Sequence, residues 1–160
     1  MNNRWQLRTW RNSAKIYGGV MLLVFGCAIY LLFRSKTLFI YVWCRDLGCS
    51  PLVDYFRLSV QNWNIPAFIK FSLPDGLYSA AYLLIIDAIW SNDKSPMKYI
   101  LFSIIPVITI SDELLQYFGL IGGTFDFVDL ISYMLPPLLF FSTNSIMTIC
   151  FIDKQTPKKL

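Results

Sequence analysis

Carboxylates are the side chains of this sequence that are best placed to do chemistry. Five of its ten acidic residues fall at the ends of predicted helices. The alternating direction of those helices places all five at the same end of the predicted bundle: Asp75, Asp112, Glu113, Asp126 and Asp129. Carboxylates that lie close together cannot all stay ionised without partners, so some become protonated or a cation sits among them. The sequence therefore predicts an acidic site in which either protonation of some carboxyl groups or a bound cation limits the repulsion.

The acids at predicted helix starts also have a purely structural explanation. Asp75 opens one helix, and Asp126 with Asp129 opens another. Carboxylates at such positions satisfy free backbone N–H groups and complement the helix dipole. Capping does not require Tyr133, yet Asp126, Asp129 and Tyr133 recur at i, i+3 and i+7, on one helix face. Capping and site formation both stay open for these residues.

The sequence offers three kinds of partner for the negative charge. Basic residues of the loop before the second apolar run are candidates: Arg45, Arg57 and Lys70. A divalent metal would be magnesium or calcium rather than zinc, because the chain has oxygen ligands and no histidine. A basic ligand is the third. The absence of histidine also excludes histidine-based catalysis and serine–histidine–aspartate triads.

The four cysteines do not form a recognisable metal site. Cys27 and Cys150 lie in apolar runs and are interpreted as core or lipid-facing residues. Cys44 and Cys49 form a C-x4-C pair, but metal sites of this kind usually need a second pair. Outside the cytoplasm these two would be able to form a disulfide, and two free thiols are the alternative.

Long apolar runs make up most of the chain. Hydrophobic residues account for 56% of it, and the mean hydropathy is +0.51. Runs at about residues 16–33, 73–90, 97–118 and 127–152 are long enough to cross a bilayer as helices. The sequence therefore predicts an all-α integral membrane four-helix bundle, a single domain over residues 1–160. No small-residue cleavage site follows the first run, so we interpret it as an anchor and not a signal peptide.

The loop between the first two predicted spans carries a further predicted helix. Thr37–Trp43 is apolar but too short to cross a membrane. Ser50 and Pro51 are typical of a helix start, as N-cap and first helical residue. Apolar residues then recur at helical spacing: Leu52, Phe56, Val60 and Trp63. This pattern predicts an amphipathic helix that lies at the membrane interface or packs over the bundle.

The fourth predicted span contains two features that are unusual in a helix. Pro136 and Pro137 should kink or break it and free backbone carbonyls. A polar cluster then interrupts the apolar run: Ser142, Thr143, Asn144 and Ser145. Such side chains usually form hydrogen bonds between helices. A polar path toward the acids is the alternative.

Asp112 and Glu113 are harder to explain by capping. They lie near the carboxyl end of the third span, where the helix dipole disfavours negative charge. A helix that ended before them would be about 21 Å long, so the pair belongs at or just inside the membrane boundary. Acids at that depth favour a functional or site-forming role, and a plain solvated helix end is the alternative. Gln116, four residues after Asp112 and three after Glu113, can share a site with either.

Basic residues predict the orientation of the spans. With the amino terminus inside, nine Lys and Arg residues fall in inner segments and five in outer ones. This distribution favours cytoplasmic amino and carboxyl termini and places the five acids at the outer face. The net charge of +4 lies at the chain ends and in loops, so it indicates membrane orientation and not nucleic-acid binding.

Two motifs resemble the VanZ-like family of bacterial membrane proteins. Residues 112–116, Asp-Glu-Leu-Leu-Gln, are similar to the family's D-E-x-x-Q. Residues 122–129, Gly-Gly-Thr-Phe-Asp-Phe-Val-Asp, are similar to its G-R-x-x-D-x-x-D at the next helix start, and Asp75 matches an acid that opens an earlier helix. The resemblance covers about residues 73–137. Where the family usually has Arg, Asn and His, this chain has Gly123, Tyr133 and Ser79.

The resemblance implies a location in the cell envelope and a site at these acids. We expect a multi-pass protein of the bacterial cytoplasmic (inner) membrane that is not itself an enzyme and that binds a polar or cationic envelope component, such as a lipid-linked headgroup. Two alternatives stay open: a carboxylate- and metal-dependent enzyme acting on a lipid headgroup, and a small cation transporter or channel subunit. Expected partners are membrane lipids, a second copy of the chain or another membrane protein.

Overall fold

The computed structural model describes residues 3–91, 96–123 and 125–155, and for residues 3–5, 7, 8 and 143–155 it describes the backbone alone. Every regular element in these ranges is an α-helix, which confirms the prediction of an all-helical chain. The helices are α1 (Asn3–Phe33), α2 (Phe39–Asp46), α3 (Ser50–Val60), α4 (Ala67–Phe71), α5 (Leu73–Ile89), α6 (Pro96–Tyr117) and α7 (Phe127–Gln155).

The helix boundaries follow the predicted apolar runs closely, except at the amino terminus. Helix α1 begins at Asn3, because the polar segment before the apolar run contains no proline or glycine that would stop it. Two of the described helices are long and apolar enough to cross a membrane, over Thr9–Phe33 and Pro96–Tyr117. The 17-residue α5 and the described apolar part of α7, Phe127–Ser142, are shorter.

The four long helices pack against one another with alternating direction. Helix α5 lies between the others and contacts α1, α6 and α7, and α6 also contacts α7. Lys15 of α1 and Lys98 of α6 meet Asp87 near the end of α5, whereas Tyr30 of α1 meets Asp75 at its start. Consecutive long helices therefore run antiparallel, and the assembly has a lysine-rich end and an acidic end.

Asp87 joins three helices at the lysine-rich end. Its side chain is 9% exposed, Lys98 Nζ donates to its Oδ1 at 2.7 Å, and Lys15 Nζ pairs with its Oδ2. Each carboxylate oxygen thus has its own ammonium partner. Because a buried carboxylate is costly without such partners, this cluster fixes α1 and α6 against the end of α5.

The two prolines of α7 do not end the helix, which is continuous from Phe127 to Gln155, so a break was a wrong expectation. Proline lacks an N–H group, so Pro136 and Pro137 leave the carbonyls of Ser132 and Tyr133 without their helical donors. Ser79 Oγ of α5 donates to the Tyr133 carbonyl at 2.9 Å. The expected freeing of carbonyls thus produces a hydrogen bond between helices.

The second freed carbonyl lies against a glycine. A Cβ atom placed on Gly76 of α5 would be 3.0 Å from the Ser132 carbonyl oxygen. Farther along α7, Ser142 Oγ donates within its own helix, to the Leu138 carbonyl at 2.7 Å. The side chains of the remaining polar cluster, residues 143–145, lie outside the described part of the chain. Close contact between α5 and α7 thus depends on Gly76, which leaves room for the Ser132 carbonyl, and on Ser79, which donates to the Tyr133 carbonyl.

The loop between α1 and α5 folds into three short helices, of which only α3 was predicted; α2 and α4 were not. Helix α3 begins at Ser50 as expected, but Ser50 is its first residue; Cys49 holds the N-cap position, without a side-chain hydrogen bond. Val53 is buried, whereas Leu52 and Phe56 of the predicted apolar row are 64% and 50% exposed. Leu52 and Phe56 of that row therefore face away from the protein, whereas Val60 is half-buried.

Gly76→Ala should destabilise the protein, because the new methyl group would press on a backbone carbonyl that cannot rotate away. We expect a loss of about 1–3 kcal/mol, typical of overpacking, seen as a lower melting temperature in detergent. Gly18→Ala is the matched control: its Cβ would meet only Leu84 Cδ1 at 3.9 Å, an ordinary contact. Equal melting temperatures for the two variants would contradict the close α5–α7 approach.

Candidate functional site

The acidic end of the helices brings together side chains from α1, α5, α6 and α7. We call this group the acid cluster: Tyr30, Arg34, Asp75, Glu113, Asp126, Asp129 and Tyr133. Five of its members were predicted from the sequence, whereas Tyr30 and Arg34 were not. The loop that follows α6 turns back directly into α7, so Glu113 lies beside the start of α7.

Asp75 is the most enclosed carboxylate of the cluster, with 5% of the residue exposed. It lies in the first turn of α5, and its Oδ1 accepts a hydrogen bond from the Tyr30 hydroxyl at 3.5 Å. The Tyr133 side chain of α7 lies within electrostatic range of the same carboxylate. Asp75 therefore bonds to α1 and lies beside Tyr133 of α7, and helix capping does not account for its position.

Arg34 is a cation within electrostatic range of this carboxylate. It follows α1 directly, and its NH2 donates to the Tyr30 hydroxyl at 2.9 Å while its guanidinium carbon lies 4.7 Å from the Tyr30 ring centre. It also lies 5.1 Å from the Phe71 ring centre. Its Nε is buried without a hydrogen-bond partner in the described part of the chain. Arg34 thus fixes Tyr30 in place and retains a free donor.

The three predicted counterions lie elsewhere, which corrects that expectation. Arg45 pairs with Asp46 at 3.7 Å, on the exposed surface of α2. Arg57 donates to two backbone carbonyls at the end of α1, and Lys70 lines a cavity beside α3. Arg34 was missed because its position next to an apolar run is the usual one for a residue that marks a membrane boundary.

Asp126 acts as a helix cap. Capping was one of the two interpretations, with site formation, that the sequence left open for this residue. Its Oδ1 accepts the Val128 N–H at 2.8 Å, and its own N–H donates to Glu113 Oε2 at 3.2 Å. Asp126 is exposed, whereas Glu113 is buried. Glu113, from the end of a different helix, therefore also satisfies a free donor at the start of α7.

Asp129 is the carboxylate of the cluster with a buried oxygen that lacks a hydrogen-bond partner among the described residues. Its Oδ1 is buried and accepts no hydrogen bond from the described residues. It lies within electrostatic range of both Asp75 and Glu113. A buried carboxylate oxygen without a donor is costly, and neighbouring negative charge increases that cost.

The structure separates Asp112 and Gln116 from the cluster. Asp112 is exposed, although it adjoins the buried Glu113. Gln116 packs against Gly123, where a Cβ would lie 2.8 Å from its Cδ atom. Gly123 has a φ of +139°, which favours glycine. The expected sharing of the site by Gln116 with Asp112 or Glu113 is not seen among the hydrogen bonds of the described residues.

The described residues also do not gather a metal site. Across the part of the chain that the structure describes, no three Asp, Glu, His or Cys side chains converge as ligands would. Cys44 and Cys49 are free thiols, and the Cys49 N–H donates to the Cys44 carbonyl at 2.7 Å. Neither the expected magnesium or calcium ion nor the disulfide finds support in these positions.

The acid cluster therefore carries more negative than positive charge. Asp75, Glu113 and Asp129 are buried or half-buried, and Arg34 is the one guanidinium beside them in the described residues. An ammonium or guanidinium group entering here would meet an acceptor, Asp129 Oδ1, that is already desolvated. Hydrogen bonds of that type, between charged groups, are stronger than neutral ones.

Arg34→Gln should lower the melting temperature, because it removes the cation that balances Asp75 and loosens Tyr30. Adding Asp75→Asn should restore part of the loss, since the second change removes the charge left unbalanced. We expect a coupling free energy of about 0.5–3 kcal/mol in a double-mutant cycle. Arg45→Gln, at an exposed ion pair, is the control. Strictly additive effects of the two changes would contradict this charge balance.

No protein-family model, curated protein or solved structure matches this chain.

Proposed function

We propose that the chain is an integral membrane protein in which α1, α5, α6 and α7 cross the bilayer as a four-helix bundle. Helices α1 and α6 have the length and hydropathy for it. Large apolar side chains on both point away from the protein, among them Met21 (68% exposed) and Val107 (58%). Apolar surface of this extent is costly in water and favourable against lipid.

In the topology we propose, both termini are cytoplasmic and the acid cluster faces outward, in a bacterial cytoplasmic membrane. The lysine-rich end then lies on the inner side, in keeping with the excess of basic residues expected there. The similarity of residues 73–137 to the VanZ-like pattern supports the same placement. With this topology, Asp87 lies near the inner interface, paired to Lys15 and Lys98.

A pair of reporter fusions tests this topology. Alkaline phosphatase, which is active only outside the cytoplasm, should be inactive when fused after Leu160 and active when inserted after Gly48, in the loop before α3. Green fluorescent protein at the same two points should give the opposite pattern. Phosphatase activity at Leu160 would overturn the proposed orientation.

We further propose that the acid cluster binds a cationic group of an envelope component, such as the ammonium of a lipid headgroup. The observation that carries this function is Asp129 Oδ1, a buried acceptor without a donor among the described residues. Asp75 and Glu113 supply neighbouring charge, and the rings of Tyr30 and Tyr133 border the Asp75 side. Such a site binds and holds a cation, and the protein acts in the envelope as a binding component rather than as an enzyme.

Asp129→Asn separates binding from folding. In detergent, ethanolamine should raise the melting temperature of the wild type, whereas ethylene glycol, its neutral analogue, should not. The variant should melt at or above the wild-type temperature without ligand, because an uncompensated buried charge is gone. Its apparent affinity for ethanolamine should fall about tenfold or more, since a charged hydrogen bond contributes about 1.5–3 kcal/mol.

Asp112→Asn is the matched control, because it removes an exposed acid of α6 that lies outside the cluster. Its response to ethanolamine should equal that of the wild type. If Asp129→Asn and the wild type respond alike, the acid cluster does not bind the cation. Sodium chloride at matched ionic strength corrects for general screening.

A further inference from the structure

A second polar site lies on the other side of the α1 end, where α3 and α4 fold back. It is a cavity of about 540 Å³ between the last residues of α1, the part of α3 from Asp54 onward and the segment leading through α4. Its polar lining consists of Lys36, Asp54, Arg57, Gln61 and Lys70, and Trp63 also lines it. A water molecule takes about 30 Å³ in the liquid, so the space admits a group much larger than one water.

Arg57 is held rigidly at this cavity. Its NH1 donates to the Leu31 carbonyl at 2.6 Å and to the Arg34 carbonyl at 2.9 Å, both at the end of α1. These two bonds fix the guanidinium plane and satisfy carbonyls that a helix end leaves free. The guanidinium still has donors at NH2 and Nε, so its position is set by the fold while part of it remains able to bind a ligand.

Two lysines add to this charge, and one carboxylate offsets it. Lys36 Nζ pairs with Asp54 Oδ1 at 2.6 Å, and the hydrogen bond from Lys36, aided by one from Tyr41, lowers the pKa of Asp54. Asp54 is therefore ionised at neutral pH and orients Lys36. Lys70 forms no ion pair with any residue that the structure describes. The lining thus carries three cations against one carboxylate.

The surroundings of the cavity match the headgroup layer of a membrane. Leu58 and Trp63, which line it, are 63% and 62% exposed, and Phe56 beside them is 50% exposed. Exposed tryptophan together with lysine and arginine is typical of the level at which lipid phosphates lie. The exposed apolar residues of α3 would contact the acyl chains below.

We propose that this cavity binds the phosphate group of a membrane phospholipid headgroup, with Arg57 and Lys70 as donors and Asp54 holding Lys36 at the rim. Guanidinium and ammonium groups together suit a tetrahedral, multiply accepting anion better than they suit a neutral polar group. The site is distinct from the acid cluster, because none of its lining residues belongs to that cluster.

Lipid retention by the purified protein tests the proposal. Protein in detergent is mixed with phosphatidylglycerol, and bound lipid is counted by native mass spectrometry. Lys70→Gln should weaken retention about fivefold, the effect of one basic residue near a membrane surface. Lys70 lacks an ion-pair partner, so its loss should leave the melting temperature unchanged.

Three comparisons make the outcome decisive. Arg45→Gln, an exposed basic residue outside the cavity, should retain lipid normally, and Asp129→Asn should do so too, which separates this site from the acid cluster. Inorganic phosphate that displaces the lipid from the wild type but not from Lys70→Gln would support the phosphate site with a soluble source. Equal retention by the wild type and Lys70→Gln would overturn the proposal.

Discussion

The polar side chains buried along α5 must find partners on other helices, and this requirement determines how the helices are arranged. Asp75 bonds to Tyr30 of α1, Ser79 to the Tyr133 carbonyl of α7, and Tyr82 to the Leu101 carbonyl of α6 at 2.7 Å. Asp87 takes lysines from α1 and α6. Because each of these groups would cost several kcal/mol if left unpaired in an apolar environment, their spacing along α5 constrains the position and depth of the neighbouring helices.

The end of α1 separates two sites of opposite charge. On one side Arg34 faces the tyrosine and carboxylates of the acid cluster, and on the other Arg57 caps the same helix and lines the basic cavity. The two arginines are joined through the Arg34 carbonyl. A zwitterionic headgroup, with a phosphate and an ammonium a few bonds apart, has the same charge pattern. The proposed cation and phosphate sites therefore fit the chemistry of a single class of envelope lipid, although each is supported by its own residues.

The sequence was most informative where one physical requirement dominated. Bilayer-length apolar runs predicted the boundaries of α5, α6 and α7 to within about three residues, since little else competes with burial in those segments. Charge position against the helix dipole singled out Asp112 and Glu113 together. The structure buries Glu113 and exposes Asp112, a difference that the dipole argument could not predict, because adjacent residues on a helix point in different directions. Arg34 and Tyr30 were missed since their role depends on how α1 packs on α5. For the prolines, the sequence predicted the free carbonyls, because these follow from local backbone geometry. It did not predict that Ser79 would donate to the Tyr133 carbonyl, because that contact depends on how α5 packs against α7.

The Asp87 cluster has a consequence for how the chain is made. In the proposed topology α5 enters the bilayer carrying a carboxylate near its end, and a lone carboxylate opposes insertion. Lys15 belongs to a helix that has already left the ribosome by then, and Lys98 follows Asp87 by only 11 residues. The order of synthesis therefore delivers one ammonium before the acid and one directly after it. Assembly can proceed helix by helix, and a chain truncated before Lys98 would present a half-neutralised acid to the proteases that remove unassembled membrane segments.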